Sequence, residues 1–110
     1  MNSINTKSDV EASLVSILTD LIGLRSDYPP GDTVEICRYT EHRLDNLGYR
    51  IKNHMDVTPI NNLIVEMGDG SPSVVFNVHV DTVGPGLLSA WSSDPCRAKI
   101  KGKRVYGLGA

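Results

Sequence analysis

The chain has 110 residues, of which 40% are hydrophobic and 22% charged, and its formal net charge is -2. That length predicts one domain over residues 1–110. The charge balance carries no basic footprint for nucleic acid, and no apolar run reaches the length needed to cross a bilayer. The opening residues are polar and lack a signal-peptide core. Cys37 and Cys96 stand far apart with no Cys-x-x-Cys spacing, which reads as two reduced thiols in a cytoplasmic protein, with a disulfide as the alternative.

Ser8-Asp9-Val10-Glu11 has the form of a capping box, with Ser at the cap and Glu three residues on. It predicts a helix running to about Leu24 whose inward face is Val10, Leu14, Ile17, Leu18, Leu21 and Leu24. Two prolines and a glycine in residues 26–31 end that helix. Asp32-Thr33-Val34-Glu35 then repeats the capping pattern, with Asp32 as the cap. The second helix turns Ile36, Cys37, Thr40, Leu44 and Leu47 inward and stops at Gly48. His42, between Glu41 and Arg43, reads as a surface histidine.

Residues 49–53 alternate as a half-exposed strand should, and residues 62–67 are more apolar and predict a more buried one. Thr58-Pro59 separates the two, and His54 reads as structural. Residues 68–72 predict a tight turn. Gly68-Asp69-Gly70 lacks a third glycine and a following helix, so it is not a dinucleotide loop.

Ser73-Val74-Val75-Phe76-Asn77-Val78-His79-Val80 is the stretch around which the rest is organised. Its β-branched and aromatic residues, bounded by turn formers, predict a buried central strand. The strand delivers His79 and Asp81 and then gives way to Gly84-Pro85-Gly86. On extended backbone, residues two apart point the same way, so the imidazole and the carboxylate lie side by side at the strand's exit end. In open α/β sheets ligands bind at that end. A carboxylate beside a histidine also fixes the tautomer of a metal ligand. Taken alone, the pair reads first as a hydrogen-bonded strand histidine and a turn-opening aspartate, ahead of a metal ligand and its clamp.

Residues 82–95 read as irregular, with Trp91 as a packing anchor. Residues 98–101 and 104–106 read as a short hairpin that leads to Gly107-Leu108-Gly109-Ala110. A glycine-flanked apolar loop just past a strand predicts the front part of a longer protein.

Together these pieces resemble the amino-terminal part of a zinc-dependent family. It comprises acetylornithine deacetylase, succinyl-diaminopimelate desuccinylase, aminoacylase and carboxypeptidase G. The likeness rests on Pro29-Pro30-Gly31-Asp32, Leu47-Gly48-Tyr49, Asn61-Asn62-Leu63, Val78-His79-Val80-Asp81-Thr82-Val83, Trp91-Ser92-Ser93-Asp94-Pro95 and Tyr106-Gly107-Leu108-Gly109-Ala110, in that order. It implies an α/β fold, the front part of a three-layer α/β/α catalytic domain with a mixed sheet. It also implies hydrolysis of the amide bond of an N-acyl amino acid or short peptide. The implied cofactor is a pair of zinc ions, with cobalt or manganese as alternatives. His79 matches the first zinc ligand, and Asp81 matches the active-site acid that clamps it.

The chain departs from the family in having Cys96 where Phe usually follows Pro95. It also lacks the bridging aspartate, the Glu-Glu pair, the later carboxylate, the final histidine and the lid domain through which the family dimerises. The resemblance thus implies that the isolated chain neither retains zinc nor turns over substrate. The alternative is a non-catalytic fragment or pseudoenzyme with a structural or interaction role. An anion-binding module built on Gly84-Pro85-Gly86 is disfavoured, because no helix start follows the loop and no P-loop pattern exists.

Overall fold

A computed structural model of the chain describes residues 6–110. The opening residues 1–5, part of the stretch read as lacking a signal-peptide core, lie outside that range. The elements are α1 (Lys7–Gly23), β1 (Asp27–Tyr28), α2 (Val34–Asp45), β2 (Arg50–Val57), β3 (Ile60–Glu66), β4 (Thr82–Val83), a 3₁₀ turn at Leu88–Ala90, β5 (Lys99–Lys101) and β6 (Arg104–Tyr106). The result is a small mixed α/β structure with two helices and short sheets. It divides into two compact units, one of Met1–Arg25 with Thr82–Ala110 and the other of Ser26–Asp81.

In the first unit, α1 starts earlier than the sequence pattern predicts. Thr6 is the cap, and its hydroxyl accepts from the Asp9 N–H at 3.1 Å and donates to the Asp9 carboxylate at 2.7 Å. Thr6-Lys7-Ser8-Asp9 satisfies the same capping logic as the expected box two residues on. The inward face is also displaced. Ile22 is the buried residue of this helix, whereas Val10 and Leu14 are exposed. The cause is Gly107, whose missing side chain leaves the space that Ile22 fills. A Cβ built there would sit 2.6 Å from Ile22 Cγ2. β5 and β6 form the expected hairpin, pairing Lys99 with Tyr106 and Lys101 with Arg104. The Trp91 indole N–H donates to the Pro85 carbonyl at 2.8 Å, which anchors the loop between them.

In the second unit, α2 packs on β2 and β3 through Ile36 and Cys37, 4% and 2% exposed. Thr33, not Asp32, is the cap residue, while the Asp32 carboxylate accepts from the Val34 N–H at 3.0 Å. Leu47, expected inside, is half exposed at 50% because it lies beyond the last helical turn. Gly48 ends the helix with φ of 76°, the left-handed conformation that glycine adopts without strain. β2 and β3 pair antiparallel from Arg50 opposite Glu66 to Val57 opposite Ile60, with an irregularity between His54 and Val57. The hairpin is tied to α2 at a buried node. The Thr33 hydroxyl accepts from the Asn61 N–H at 2.6 Å and donates to the Asn61 carbonyl at 3.1 Å. The Thr33 N–H donates to the Pro59 carbonyl at 3.2 Å.

Residues 73–80 require a correction. They carry no ladder hydrogen bonds and do not form the expected central strand. Val74, Val75, Phe76 and Val78 are 77%, 87%, 87% and 82% exposed. A strand apolar on both faces is stable only with neighbours at its edges and layers above and below. Among the described residues of this unit, α2 and the β2–β3 hairpin supply neither for residues 73–80.

Candidate functional site

The site begins with a pinned backbone. The buried Ser26, at the start of the second unit, donates its hydroxyl to the Val80 carbonyl at 2.7 Å. That bond holds the residue between His79 and Asp81. On either side of it the two side chains come together. His79 Nδ1 lies 2.9 Å from the Asp81 backbone carbonyl and 3.4 Å from the Asp81 carboxylate.

The shorter contact decides the chemistry of the ring. A carbonyl oxygen only accepts, so Nδ1 carries the proton when the imidazole is neutral. The lone pair is then on Nε2, facing away from the aspartate. That is the form in which an imidazole ligates a metal. The pair is open to solvent, with side chains 83% and 56% exposed.

The other donors singled out in the sequence do not join it. His42 is exposed on α2 and lines a shallow cavity of about 330 Å³ with Arg38, Glu41, Asp45 and Ile51. His54 is exposed on β2, opposite Asn62. The Cys37 thiol is buried against the Asn61 carbonyl at 3.5 Å, and burial pushes its pKa up. Cys96 is half-buried, its N–H donating to the Asp94 carboxylate at 2.9 Å. Both thiols are free. Among the described residues, no group of three or more His, Cys, Asp or Glu side chains could hold a metal ion. Sequence reasoning missed Ser26, since a serine in a helix-breaking loop gives no signal of a bond 54 residues away.

The chain is similar to succinyl-diaminopimelate desuccinylases. It is 31% identical to that of Xylella fastidiosa over 99 residues, which is 90% of this chain and 26% of the relative. It is 38% identical to that of Thiobacillus denitrificans over 68 residues, covering 62% of this chain and 17% of the relative. The chain is a distant homologue of the succinyl-diaminopimelate desuccinylases. A probable desuccinylase of Staphylococcus aureus extends the match to 103 residues at 26% identity. This desuccinylase homologue spans between 17% and 26% of the length of these curated relatives. No family model matches the chain. No solved structure matches it.

Proposed function

We propose that the chain supplies the first metal-binding residue of a zinc-dependent amide hydrolase that removes an acyl group from an N-acyl amino acid, of the desuccinylase type. The observation that supports this reading is the pinned imidazole of His79, with Nε2 free, in a homologue of desuccinylases. The donor chemistry fits one zinc ligand, a neutral imidazole held from behind. When bound, zinc polarises the amide carbonyl and lowers the pKa of its water. The part of this chain is to present Nε2 and to hold the ring through Asp81 and Ser26.

In this reading the other ligands, the general base and the dimer-forming lid are contributed by residues other than these 110. Residues 73–80 become the central strand of a three-layer α/β/α domain once those residues cover them. The setting is cytoplasmic, and the substrate is a small N-acyl amino acid such as N-succinyl-diaminopimelate. A second statement within the same reading is that the 110-residue chain by itself is non-catalytic, since the reading gives it one zinc ligand, His79, and no general base.

The test is hydrolysis of N-succinyl-diaminopimelate with added zinc, followed together with metal content. The isolated chain gives no turnover, and a longer enzyme carrying this segment does. In that enzyme His79→Ala abolishes turnover and lowers bound zinc. Asp81→Asn keeps most of the metal and slows turnover by about 10–100-fold. Unchanged rate and metal content in His79→Ala remove the basis of the assignment.

A further inference from the structure

We infer that Ser26 is a positioning residue for His79: by holding the Val80 carbonyl, its hydroxyl keeps the Asp81 backbone carbonyl on Nδ1 and so leaves the lone pair of the ring on Nε2. The use of that lone pair for zinc rests on the function proposed above. The hold on the ring does not.

The bond that carries this is enclosed by the chain itself. Ser26 is 5% exposed, and its hydroxyl donates to the Val80 carbonyl at 2.7 Å. Leaving a buried hydroxyl unpaired is costly, so the bond has a reason to persist. Both partners belong to the second unit, and the bond does not depend on what covers residues 73–79. Ser26 is also backed by fixed chain. The Gly31 N–H donates to the Asp27 carbonyl at 3.0 Å, which closes the turn that follows Ser26. Two residues on, the Thr33 N–H ties the chain to the Pro59 carbonyl of the hairpin at 3.2 Å.

The hydroxyl reaches the ring in two short steps. The Val80 carbonyl and the Asp81 N–H share one peptide plane, so fixing the carbonyl fixes the entry to Asp81. The Asp81 carbonyl, on the next plane, lies 2.9 Å from Nδ1, and the Asp81 carboxylate lies 3.4 Å from the same nitrogen. The nearer acceptor is therefore backbone, and a backbone acceptor stays in place only if its chain does. The His79 side chain is 83% exposed, so packing within this chain does little to hold the ring. Its orientation comes from Asp81 and from what steadies that residue.

Nitrogen-15 NMR of the 110-residue chain reads the tautomer directly. The ring is neutral about two pH units above the ordinary histidine value of about 6.5. In an unconstrained histidine the Nε2–H form is the more populated. The native chain should show His79 mainly as the Nδ1–H form, with the exposed His42 and His54 as references. Ser26→Ala should lose that preference and bring His79 to the reference pattern, and Ser26→Thr should restore it. Ser26→Cys, which fills the same place with a weaker donor, should fall between. Asp81→Ala removes the carboxylate but keeps the carbonyl, and should keep the preference. Cys37→Ala, which loosens the same unit at the Asn61 carbonyl, should leave it unmoved.

Far-ultraviolet circular dichroism checks that each variant folds, and Ser26→Cys decides if Ser26→Ala does not. A preference that survives in full in either variant overturns the inference, as does its loss in Asp81→Ala or Cys37→Ala. In a longer enzyme carrying this segment, Ser26→Ala should weaken zinc binding about 10–100-fold in competition with a chelator, and Ser26→Thr should restore it. Zinc retained by His79→Ala refutes His79 as a ligand, while the tautomer still decides whether Ser26 holds the ring. Unchanged zinc affinity in Ser26→Ala, where His79→Ala has lost its zinc, refutes the positioning role.

Discussion

At the scale of single residues, the two cysteines differ in a measurable way. Cys37 is 2% exposed, and burial raises its pKa, with the neighbouring Glu41 adding to the rise and a hydrogen bond with Thr33 opposing it. A raised pKa means that the folded state holds the thiol proton more tightly than the unfolded chain does. The stabilising contribution is therefore complete below the ordinary thiol value, about 8.5. It declines as pH rises from there through the folded value. Denaturant unfolding at pH 7 and pH 10 should show lower stability at pH 10. Cys37→Ala should lose part of that pH dependence while being less stable at both. Iodoacetamide should modify Cys96 before Cys37 in the folded protein. Equal labelling rates, or a pH dependence unchanged in Cys37→Ala, contradict this account.

At the scale of elements, the test case is the seat of α1. Ile22 is 6% exposed and occupies the space that a side chain at Gly107 would need. Gly107→Ala puts a methyl group 2.6 Å from Ile22 Cγ2, so one of them must move. Overpacking of this kind costs about 1–3 kcal/mol. Ile22→Ala removes the obstacle but loses buried apolar surface, at about 2–5 kcal/mol. The double variant should be more stable than the sum of the two single effects implies, by roughly 0.5–3 kcal/mol. Strict additivity in thermal or denaturant melts shows that the two residues do not compete for one space.

This contact also shows where sequence reading stops. Helical spacing picks out a stripe on α1 that omits Ile22, and the burial of Ile22 depends on a glycine near the other end of the chain. Capping has a similar limit. Thr6-Lys7-Ser8-Asp9 and Ser8-Asp9-Val10-Glu11 obey one rule, and local pattern cannot choose between them. The nearness of His79 and Asp81 was legible because the two residues are only two apart in the chain, while the shorter contact to the Asp81 backbone carbonyl was not. Their pin, Ser26, was not, because it depends on tertiary closure.

At the scale of the whole molecule, the amino-acid pattern announced two helices, two strands after them and the hairpin at residues 98–106, and the structure has them. Residues 73–80 were legible as apolar, but the central strand expected there does not form, because a ladder is a property of two segments and the sequence describes them one at a time. Gly48 was legible as the stop of α2 because the left-handed turn there has a residue-level cause. The node between α2 and the hairpin gave no such signal, since Thr33 and Asn61 are both polar residues beside turns.

That node has a consequence for the order of events in folding. Helix formation takes about 0.1–1 μs and a hairpin about 1–10 μs. Neither needs the other. Thr33 and Asn61 are 28 residues apart, and their paired hydrogen bonds join the finished helix to the finished hairpin. Closing that loop costs chain entropy before any contact repays it, so the node should form after the main barrier. Thr33→Val keeps the shape but leaves the Asn61 N–H and carbonyl without this partner, a loss of about 1–3 kcal/mol. In stopped-flow kinetics the loss should appear as faster unfolding with little change in the refolding rate, and Thr33→Ser should restore most of it. A slowed refolding limb would place the closure of this joint before the barrier, with the helix and the hairpin assembling as one piece.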